Sequence, residues 1–154
     1  MMENLRLPLP ASEIIPHRGT MLLVESLLAY DQAAGAGTVS GGIKFDSIFT
    51  VAPENGDGAQ LEDVVLLEMM AQAYACLRGY EDRLAGRPPG LGFLVGVRHF
   101  SCCRPIAVHE EVVIEVATRT QIDTFFIADA VAKVTLETVA EAELKIWLPP
   151  QEEI

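Results

Sequence analysis

The sequence has 154 residues, of which 50% are apolar and 21% charged, and its formal net charge is −11 at pH 7. This length suits one domain with its own core and excludes separate cofactor and substrate domains. The acidic balance excludes strong binding to a nucleic-acid backbone, and no apolar run approaches the roughly 20 residues that a membrane span needs. We therefore expect a cytoplasmic protein with a single domain over residues 1–154.

The first half of the chain predicts two strands and a helix. Residues 22–30 and 38–45 form the predicted strands. Residues 63–77, DVVLLEMMAQAYACL, are apolar on nearly every side, which is typical of a helix buried all round. Asp63 suits the start of this helix, because acids interact favourably with a helix N-terminus, and Gly79 suits the position just past its end.

The second half of the chain predicts four more strands, because apolar residues alternate with polar or small ones. They occupy residues 91–100, 112–120, 125–136 and 139–148. The short link at residues 137–138 predicts a hairpin between the last two strands. Together these elements predict an α+β fold in which an antiparallel sheet wraps around one long helix.

The three cysteines predict neither a disulfide framework nor a metal site. Cys76 lies in the predicted helix, and Cys102 and Cys103 are adjacent near the end of a predicted strand. His99, three residues before Cys102, leaves the tetrahedral ligand set of a zinc site incomplete. We expect buried thiols and no bound metal.

One ionisable residue, Glu68, stands inside the apolar helix, with Gln72 one turn later on the same face. Burial disfavours a charged carboxylate, so the pattern predicts a raised pKa and a proton held near neutrality. A carboxylic acid of this kind can act as a general acid. The alternatives are an ion pair with an arginine and a place in a subunit contact.

Proton transfer usually needs a second group, and the chain has three histidines. His109 lies beside two glutamates at a predicted turn, and His99 lies in a predicted strand. His17 lies in an irregular segment before the first strand, which is a position that often presents side chains to a site. His17 is therefore the strongest candidate partner for Glu68.

Four segments of the chain carry a family resemblance in their order and spacing. They are IPHRGTMLLVESLLAYD (15–31), VVLLEMMAQAYACL (64–77), GVRHFSCCRPIAVHEEVVIEV (96–116) and AEAELKIWL (140–148). Together they resemble the hotdog-fold 3-hydroxyacyl-acyl-carrier-protein dehydratases. The resemblance implies a hotdog fold and a homodimer, or a heterodimer with a related hotdog subunit, whose active sites combine residues of both chains. Glu68 falls on the family's helix acid, and Gln72 on the glutamine that follows it.

One motif of that family is missing. Its usual histidine stands in a GHFPxxPxxPG segment about fourteen residues before the helix acid, where this chain has Glu54. A divergent branch, similar to the dehydratases of aryl-polyene pathways, also lacks this motif, and in that case His17 takes over the histidine's role. Alternatively the protein is a hotdog thioesterase that uses Glu68, or a non-catalytic subunit that binds acyl chains or an active relative.

The resemblance implies elimination of water from a 3-hydroxyacyl thioester. His17 would take the C2 proton, Glu68 would protonate the departing hydroxyl, and backbone N–H groups at the helix start or along residues 91–97 would hold the thioester carbonyl. An acyl carrier protein or CoA delivers the substrate on its 4′-phosphopantetheine arm, and no other cofactor is required. The predicted substrate-binding residues are Gln72, Gly92, Phe93, Leu94, Val95 and Gly96.

The negative charge is unevenly distributed, because residues 78–108 carry five arginines against two acids. This basic segment predicts a docking surface for an acidic carrier protein. Neutralisation of nearby carboxylates is the alternative. The arginines are Arg78, Arg83, Arg87, Arg98 and Arg104.

Overall fold

The computed structural model describes residues 5–42, 50–52 and 58–150. Within them, one long helix, α1 (Asp63–Leu84), accompanies ten strands, six of them long. The strands are β1 (Leu9–Pro10), β2 (Val24–Asp31), β3 (Ala36–Gly42), β4 (Thr50–Val51), β5 (Gln60–Leu61), β6 (Phe93–Cys102), β7 (Ile106–Ala107), β8 (Glu111–Ile122), β9 (Phe125–Val134) and β10 (Glu137–Trp147).

The long strands form one antiparallel sheet in the order β1-β2-β3-β8-β9-β10-β6, and β4, β5 and β7 form a small second sheet. Helix α1 packs against β2, β3, β8 and β9 in the middle of the large sheet. Among the described strands, β6 lies at the edge of this sheet and pairs with β10 alone. The long helix and the antiparallel sheet confirm the predicted α+β hotdog fold.

Alternating burial along the strands builds the core between the sheet and the helix. On β9 the inward residues include Ala128, Ala130 and Ala132, each at most 1% exposed. These small side chains leave space for larger helix residues such as Met70 and Tyr74, which are also buried. The sheet therefore holds the helix close.

Helix α1 continues beyond residue 77, so the predicted role of Gly79 as a helix end is wrong. Gly79 is glycine because the N-terminal segment packs directly against it: an added Cβ would lie 2.6 Å from Ile14 Cγ2 and 2.9 Å from the Ile14 carbonyl oxygen. The helix instead gives way at Ala85 to Gly86, whose φ of 69° is the left-handed conformation that ends many helices.

The predicted hairpin between the last two strands is present, but its link is two residues earlier than expected. Thr135 and Leu136 form it, with φ angles of 49° and 68°. Positive φ at both positions gives the twist that a two-residue hairpin link requires. The predicted position was wrong because no glycine or asparagine marks the turn. Of the second predicted strand, residues 43–45 lie outside the described residues.

The prediction that α1 is buried on every side is also wrong for this chain. Val64 is 65% exposed, and Leu67, Ala71 and Ala75 are partly exposed. This open stripe begins at the start of the helix and runs past Glu68. None of the described helices has the length and apolar character that a membrane crossing demands.

Candidate active site

The structure brings His17 and Glu68 together. The Nε2 atom of His17 lies 3.7 Å from Oε1 of Glu68, and the two side chains are 31% and 39% exposed. The expected full burial of Glu68 is therefore not found, because its side chain lies on the open stripe of α1. Both residues belong to the same chain, whereas the resemblance implied a site that combines residues of two chains.

The position of His17 depends on the segment that precedes it. Ile14 and Ile15 are buried in the core and fix this segment against the helix. Arg18 then donates from Nη1 to the carbonyl oxygens of Ile15 and His17, each at 2.6 Å. The Nδ1 atom of His17 is buried and has no hydrogen-bond partner among the described residues. The imidazole therefore presents Nε2 to Glu68 without a competing contact from the described part of the chain.

Gln72 connects Glu68 to the backbone that follows His17. Its Nε2 donates to the Met21 carbonyl oxygen at 2.7 Å and to Glu68 Oε1 at 3.0 Å, while its Oε1 accepts from the Leu23 N–H at 2.9 Å. Gln72 is only 1% exposed, and both of its amide hydrogens are used. Gln72 therefore orients Glu68 and has no donor left for a ligand, and because it also lines the cavity, its substrate-binding role stays a prediction.

A cavity of about 180 Å³ adjoins the pair. Its helix side consists of residues spaced three or four apart, from Glu68 to Asp82, and residues 89–92 and Leu94 face them. Enclosed small-molecule sites usually have volumes of roughly 300–1,000 Å³. This cavity is smaller than that range.

The predicted substrate-binding strand enters the cavity only in part. Gly92 and Leu94 line the cavity wall, whereas Phe93, Val95 and Gly96 do not, and for these three residues substrate binding stays a prediction. The ring of Phe93 instead packs against Trp147, with 5.7 Å between ring centroids.

A bulge explains why alternation fails along this strand. Lys145 pairs with Gly96, but the next residue, Ile146, pairs with Leu94, so Val95 has no partner on β10. One unpaired residue reverses which face the following side chains occupy. Gly96 therefore lies beside Lys145 on the side of the sheet away from Leu94.

The five arginines do not form one docking surface. Arg78 lines the cavity, and Arg83 donates to the carbonyl oxygen of Glu13. Arg87 forms an ion pair with Asp82 at 2.9 Å. These three lie on or just beyond the C-terminal half of α1. Their contacts with carboxylate and carbonyl oxygens occupy some of their N–H donors.

The other two arginines lie elsewhere, which corrects the prediction of a single basic surface. Arg98 is exposed on β6 beside Glu143. Arg104 follows the far end of β6 and donates to both carboxylate oxygens of Glu110 at 2.9 Å and to Glu137 at 3.4 Å. The Arg104 guanidinium, together with the Ala107 N–H, lowers the pKa of Glu110 to about 2. For Arg104 the alternative reading, neutralisation of nearby carboxylates, is correct.

The thiols differ in burial. Cys76 is fully buried, and burial raises the pKa of its thiol to about 12, whereas Cys103 is exposed. The expectation of buried thiols therefore holds for Cys76 and fails for Cys103. Across residues 5–42, 50–52 and 58–150, no three His, Cys, Asp or Glu side chains converge in a metal-binding arrangement. That the reaction needs no metal stays a prediction.

The family of the chain is shown by its sequence. The profile of the ApeP-like family, described as ApeP dehydratase, matches residues 9–154. The chain belongs to the ApeP-like dehydratase family. This membership confirms the divergent dehydratase branch, the dehydratase function and the lyase class that the sequence predicts. No curated protein sequence is significantly similar to the chain.

Solved structures share the fold of this ApeP-like dehydratase. The dehydratase heterocomplex ApeI:P from Xenorhabdus doucetiae matches with a TM-score of 0.80 and 21% identity, covering 94% of both chains. The uncharacterised protein PH1136 from Pyrococcus horikoshii gives 0.67 and 13%, covering 95% of this chain and 97% of that one. The PaaI protein of the E. coli phenylacetic acid degradation operon gives 0.59 and 12%, covering 79% and 80%.

At the position expected for the family's usual histidine this chain has Glu54, which lies outside the described residues. Within the described residues, His17 is the histidine that lies beside Glu68.

Proposed function

We propose that this dehydratase converts 3-hydroxyacyl thioesters into trans-2-enoyl thioesters, with His17 and Glu68 as its catalytic residues. The observation that supports this assignment is the 3.7 Å separation of His17 Nε2 and Glu68 Oε1 at one end of a cavity. A base and an acid this close can act on neighbouring carbon atoms of one substrate.

The proposed reaction balances with these two groups. Nε2 of His17 takes the C2 proton, and the electron pair of the C2–H bond forms the C2–C3 double bond. The C3–O bond breaks, and Glu68 gives its proton to the departing hydroxyl, which leaves as water. The resulting imidazolium and carboxylate are adjacent, so one proton transfer between them restores the starting state.

The proposed donors to the thioester carbonyl are the backbone N–H groups at the start of α1 or those along residues 91–97. The residue before the helix, Glu62, makes no side-chain hydrogen bond to the first N–H groups of α1, and Glu68 follows about one and a half turns after the helix start. Leu91 and Gly92 line the cavity itself.

A second hotdog chain is the proposed cover of the open cavity. Strand β6 presents Phe93, Leu94 and Val95 at its free edge, and these side chains are 44%, 39% and 49% exposed. Such an edge is a ready template for pairing with another strand. A partner, either a second copy or a related hotdog subunit, would exclude water from the cavity. The ApeI:P neighbour is itself a heterocomplex.

The proposed substrate carrier is an acyl carrier protein or CoA, which brings the thioester on its 4′-phosphopantetheine arm. Arg83 and Arg87, at the C-terminal end of α1, are the arginines that still suit a docking role. The proposed setting is the cytoplasm and a fatty-acid-like or polyene pathway. No cofactor other than the substrate's own arm enters the proposed reaction.

Turnover of a short thioester tests this proposal. The purified protein, alone and mixed with a related hotdog subunit, is given 3-hydroxybutyryl-pantetheine, and both enoyl absorbance and free thiol are followed. Formation of the enoyl thioester without thiol release supports the dehydratase reaction. Thiol release that depends on Glu68 but not on His17 would identify a thioesterase, and binding without either product would identify a non-catalytic subunit.

A further inference from the structure

Two unsatisfied polar atoms lie at opposite ends of the same cavity. Among the described residues, the only buried side-chain nitrogen or oxygen atoms without a hydrogen-bond partner are His17 Nδ1 and Arg78 Nε, and both residues line the cavity. Buried polar groups are nearly always paired, so each exception calls for a physical reason. His17 belongs to the proposed catalytic pair, which acts through its other ring nitrogen, Nε2. The proposed reaction does not use Arg78.

Arg78 is held in place by two contacts that leave much of its hydrogen-bonding capacity unused. Its Nη1 donates to Glu81 at 2.7 Å, and its guanidinium carbon lies 4.4 Å from the centre of the Phe126 ring. Its side chain is 23% exposed, and Phe126 is 5% exposed. A guanidinium has five N–H donors, of which the Glu81 contact uses one or two. The group is therefore fixed, largely desolvated and able to donate further.

The row of side chains beneath the cavity leads to this guanidinium. Leu94 on β6 pairs with Ile146 on β10, and Ile146 pairs with Phe126 on β9. Leu94 and Ile146 line the cavity, and the ring of Phe126 carries Arg78. The apolar floor therefore runs inward from the open edge of the sheet and ends at a cation.

The helix side of the cavity connects Arg78 to the catalytic pair. Ala71 and Ala75 lie between Glu68 and Arg78 on the same helix face, and both line the cavity. Ten residues of helix correspond to about 15 Å. These small side chains therefore separate the catalytic pair from Arg78 by about this distance along the cavity wall, which continues from Arg78 to Asp82.

We propose that Arg78 forms an end-group subsite that binds a neutral oxygen acceptor, a hydroxyl or carbonyl, at the distal end of the acyl chain. This inference rests on the proposed function, because it assigns the far end of the same cavity. A methyl-ended chain of equal length would leave the buried N–H donors unsatisfied. A neutral acceptor fits better than a carboxylate, since Glu81 already balances the charge of Arg78 and Asp82 lies one turn further along.

Binding affinity tests the subsite without depending on turnover. The probes are N-acetylcysteamine thioesters whose acyl chains are long enough to span about 15 Å and end in either a methyl or a hydroxyl group. Fluorescence of the single tryptophan, Trp147, reports binding. We expect the hydroxyl-ended probe to bind about tenfold more tightly, since an unsatisfied buried donor is costly. Arg78→Met should reduce the ratio of the two affinities to about one.

Arg119→Met is the matched control, because Arg119 is an ion-paired arginine on strand β8 that does not line the cavity. It should keep the wild-type ratio. Equal affinities in the wild type, or a preference that survives Arg78→Met, would overturn the proposal. If Arg78→Met instead weakens pantetheine thioesters relative to N-acetylcysteamine thioesters whatever the acyl end, Arg78 binds the carrier arm and the proposal is wrong. Turnover of 3-hydroxybutyryl-pantetheine, whose short chain does not reach Arg78, tests the dehydratase reaction separately.

Discussion

Two clusters of polar side chains lie on opposite faces of the large sheet. The cavity cluster, His17, Glu68 and Gln72, lies on the helix side, and the outer-face cluster, Arg119, Asp129 and Glu143, crosses β8, β9 and β10 on the other side. In the outer-face cluster Arg119 donates to Asp129 at 3.0 Å and to Glu143 at 3.1 Å. Its single cation is thus shared by two carboxylates that are direct cross-strand neighbours.

The cavity cluster is held differently. Gln72 fixes one oxygen of Glu68, but His17 and Glu68 stop at 3.7 Å, beyond hydrogen-bond distance, and His17 Nδ1 has no partner in the described chain. Exposed ion pairs such as those of the outer-face cluster contribute little to stability. Polar groups that are positioned but only partly satisfied are available for chemistry. The contrast therefore separates the catalytic candidates from the structural ion pairs.

The largest expected effect is the difference in kcat between glutamate-to-glutamine substitutions in the cavity cluster and in the outer-face cluster. Glu68→Gln and His17→Ala should each lower kcat for 3-hydroxyacyl thioesters by about 10²–10⁴, because each removes one proton-transfer group. Glu143→Gln should leave kcat within about twofold of the wild type, since it changes only the outer-face cluster. Steady-state kinetics at matched folded fractions, checked by circular dichroism, measures this. Full activity of Glu68→Gln would remove the cavity cluster from the mechanism.

Gln72→Leu should affect both activity and stability. The free energy of unfolding should fall by about 1–3 kcal/mol, because the Leu23 N–H and the Met21 carbonyl lose their buried partner. The rate should fall as well, since Glu68 is no longer oriented. Gln121→Leu is the control, because Gln121 is exposed and its amide contacts only the Asp123 carbonyl. Urea titration followed by kinetics separates the two effects, and a Gln72→Leu protein of normal stability and rate would contradict the positioning role.

A positive charge on the edge strand β6 should remove the proposed cover of the cavity, and it tests whether the cavity cluster depends on a partner subunit. Val95→Lys should shift the protein or its hotdog complex towards monomers and lower kcat, because a lysine on an edge strand opposes strand pairing. Val51→Lys, at a similarly exposed position on β4, should change neither. Sedimentation velocity gives the assembly state. An unchanged complex with Val95→Lys would place the partner elsewhere.

The smallest effect is expected for the matched pair Arg104 and Glu110, which resembles the outer-face cluster. The pKa of Glu110 is lowered from an ordinary 4.5 to about 2, so its ion pair stabilises the fold above the ordinary value. This contribution should disappear as the pH falls from about 4.5 towards 2. Glu110→Gln should therefore be less stable than the wild type at neutral pH and equal to it near pH 2. Melting curves measured across that pH range test this prediction, with Glu111→Gln as the control. A stability difference between Glu110→Gln and the wild type that does not change with pH would contradict it.

The fold could be predicted from the sequence because its signals are local. Alternation along β8, β9 and β10 and the apolar run of α1 each depend on neighbouring residues, and they predicted the right element types. The errors arose at positions whose structural role is determined by contacts with residues elsewhere in the chain. Gly79 looks like a helix end in isolation, but its role depends on Ile14, which lies far away in the chain. Val95 interrupts the alternation because it is left without a partner on β10, which no local pattern shows.

The site could be predicted only in part for the same reason. Glu68 stood out as an acid among apolar residues, and His17 as a histidine in an irregular segment, so the pair needed no long-range knowledge. The burial of Glu68 was overestimated because the sequence does not show which helix face the sheet leaves open. Arg78 was grouped with the other arginines by charge alone. Only the ring of Phe126 and the cavity wall distinguish it from Arg104, whose neighbours are carboxylates.

The packing of Ile14 against Gly79 makes the position of His17 depend on Gly79, a residue distant from it in the sequence. Ile14 lies three positions before His17 in a short, anchored segment, so any side chain at position 79 would push that segment away from the helix. Glu68 and Gln72 would keep their places on α1 while His17 moved. A protein with an intact helix acid could in this way lose its reaction through a single methyl group, three turns of helix away from the carboxylate.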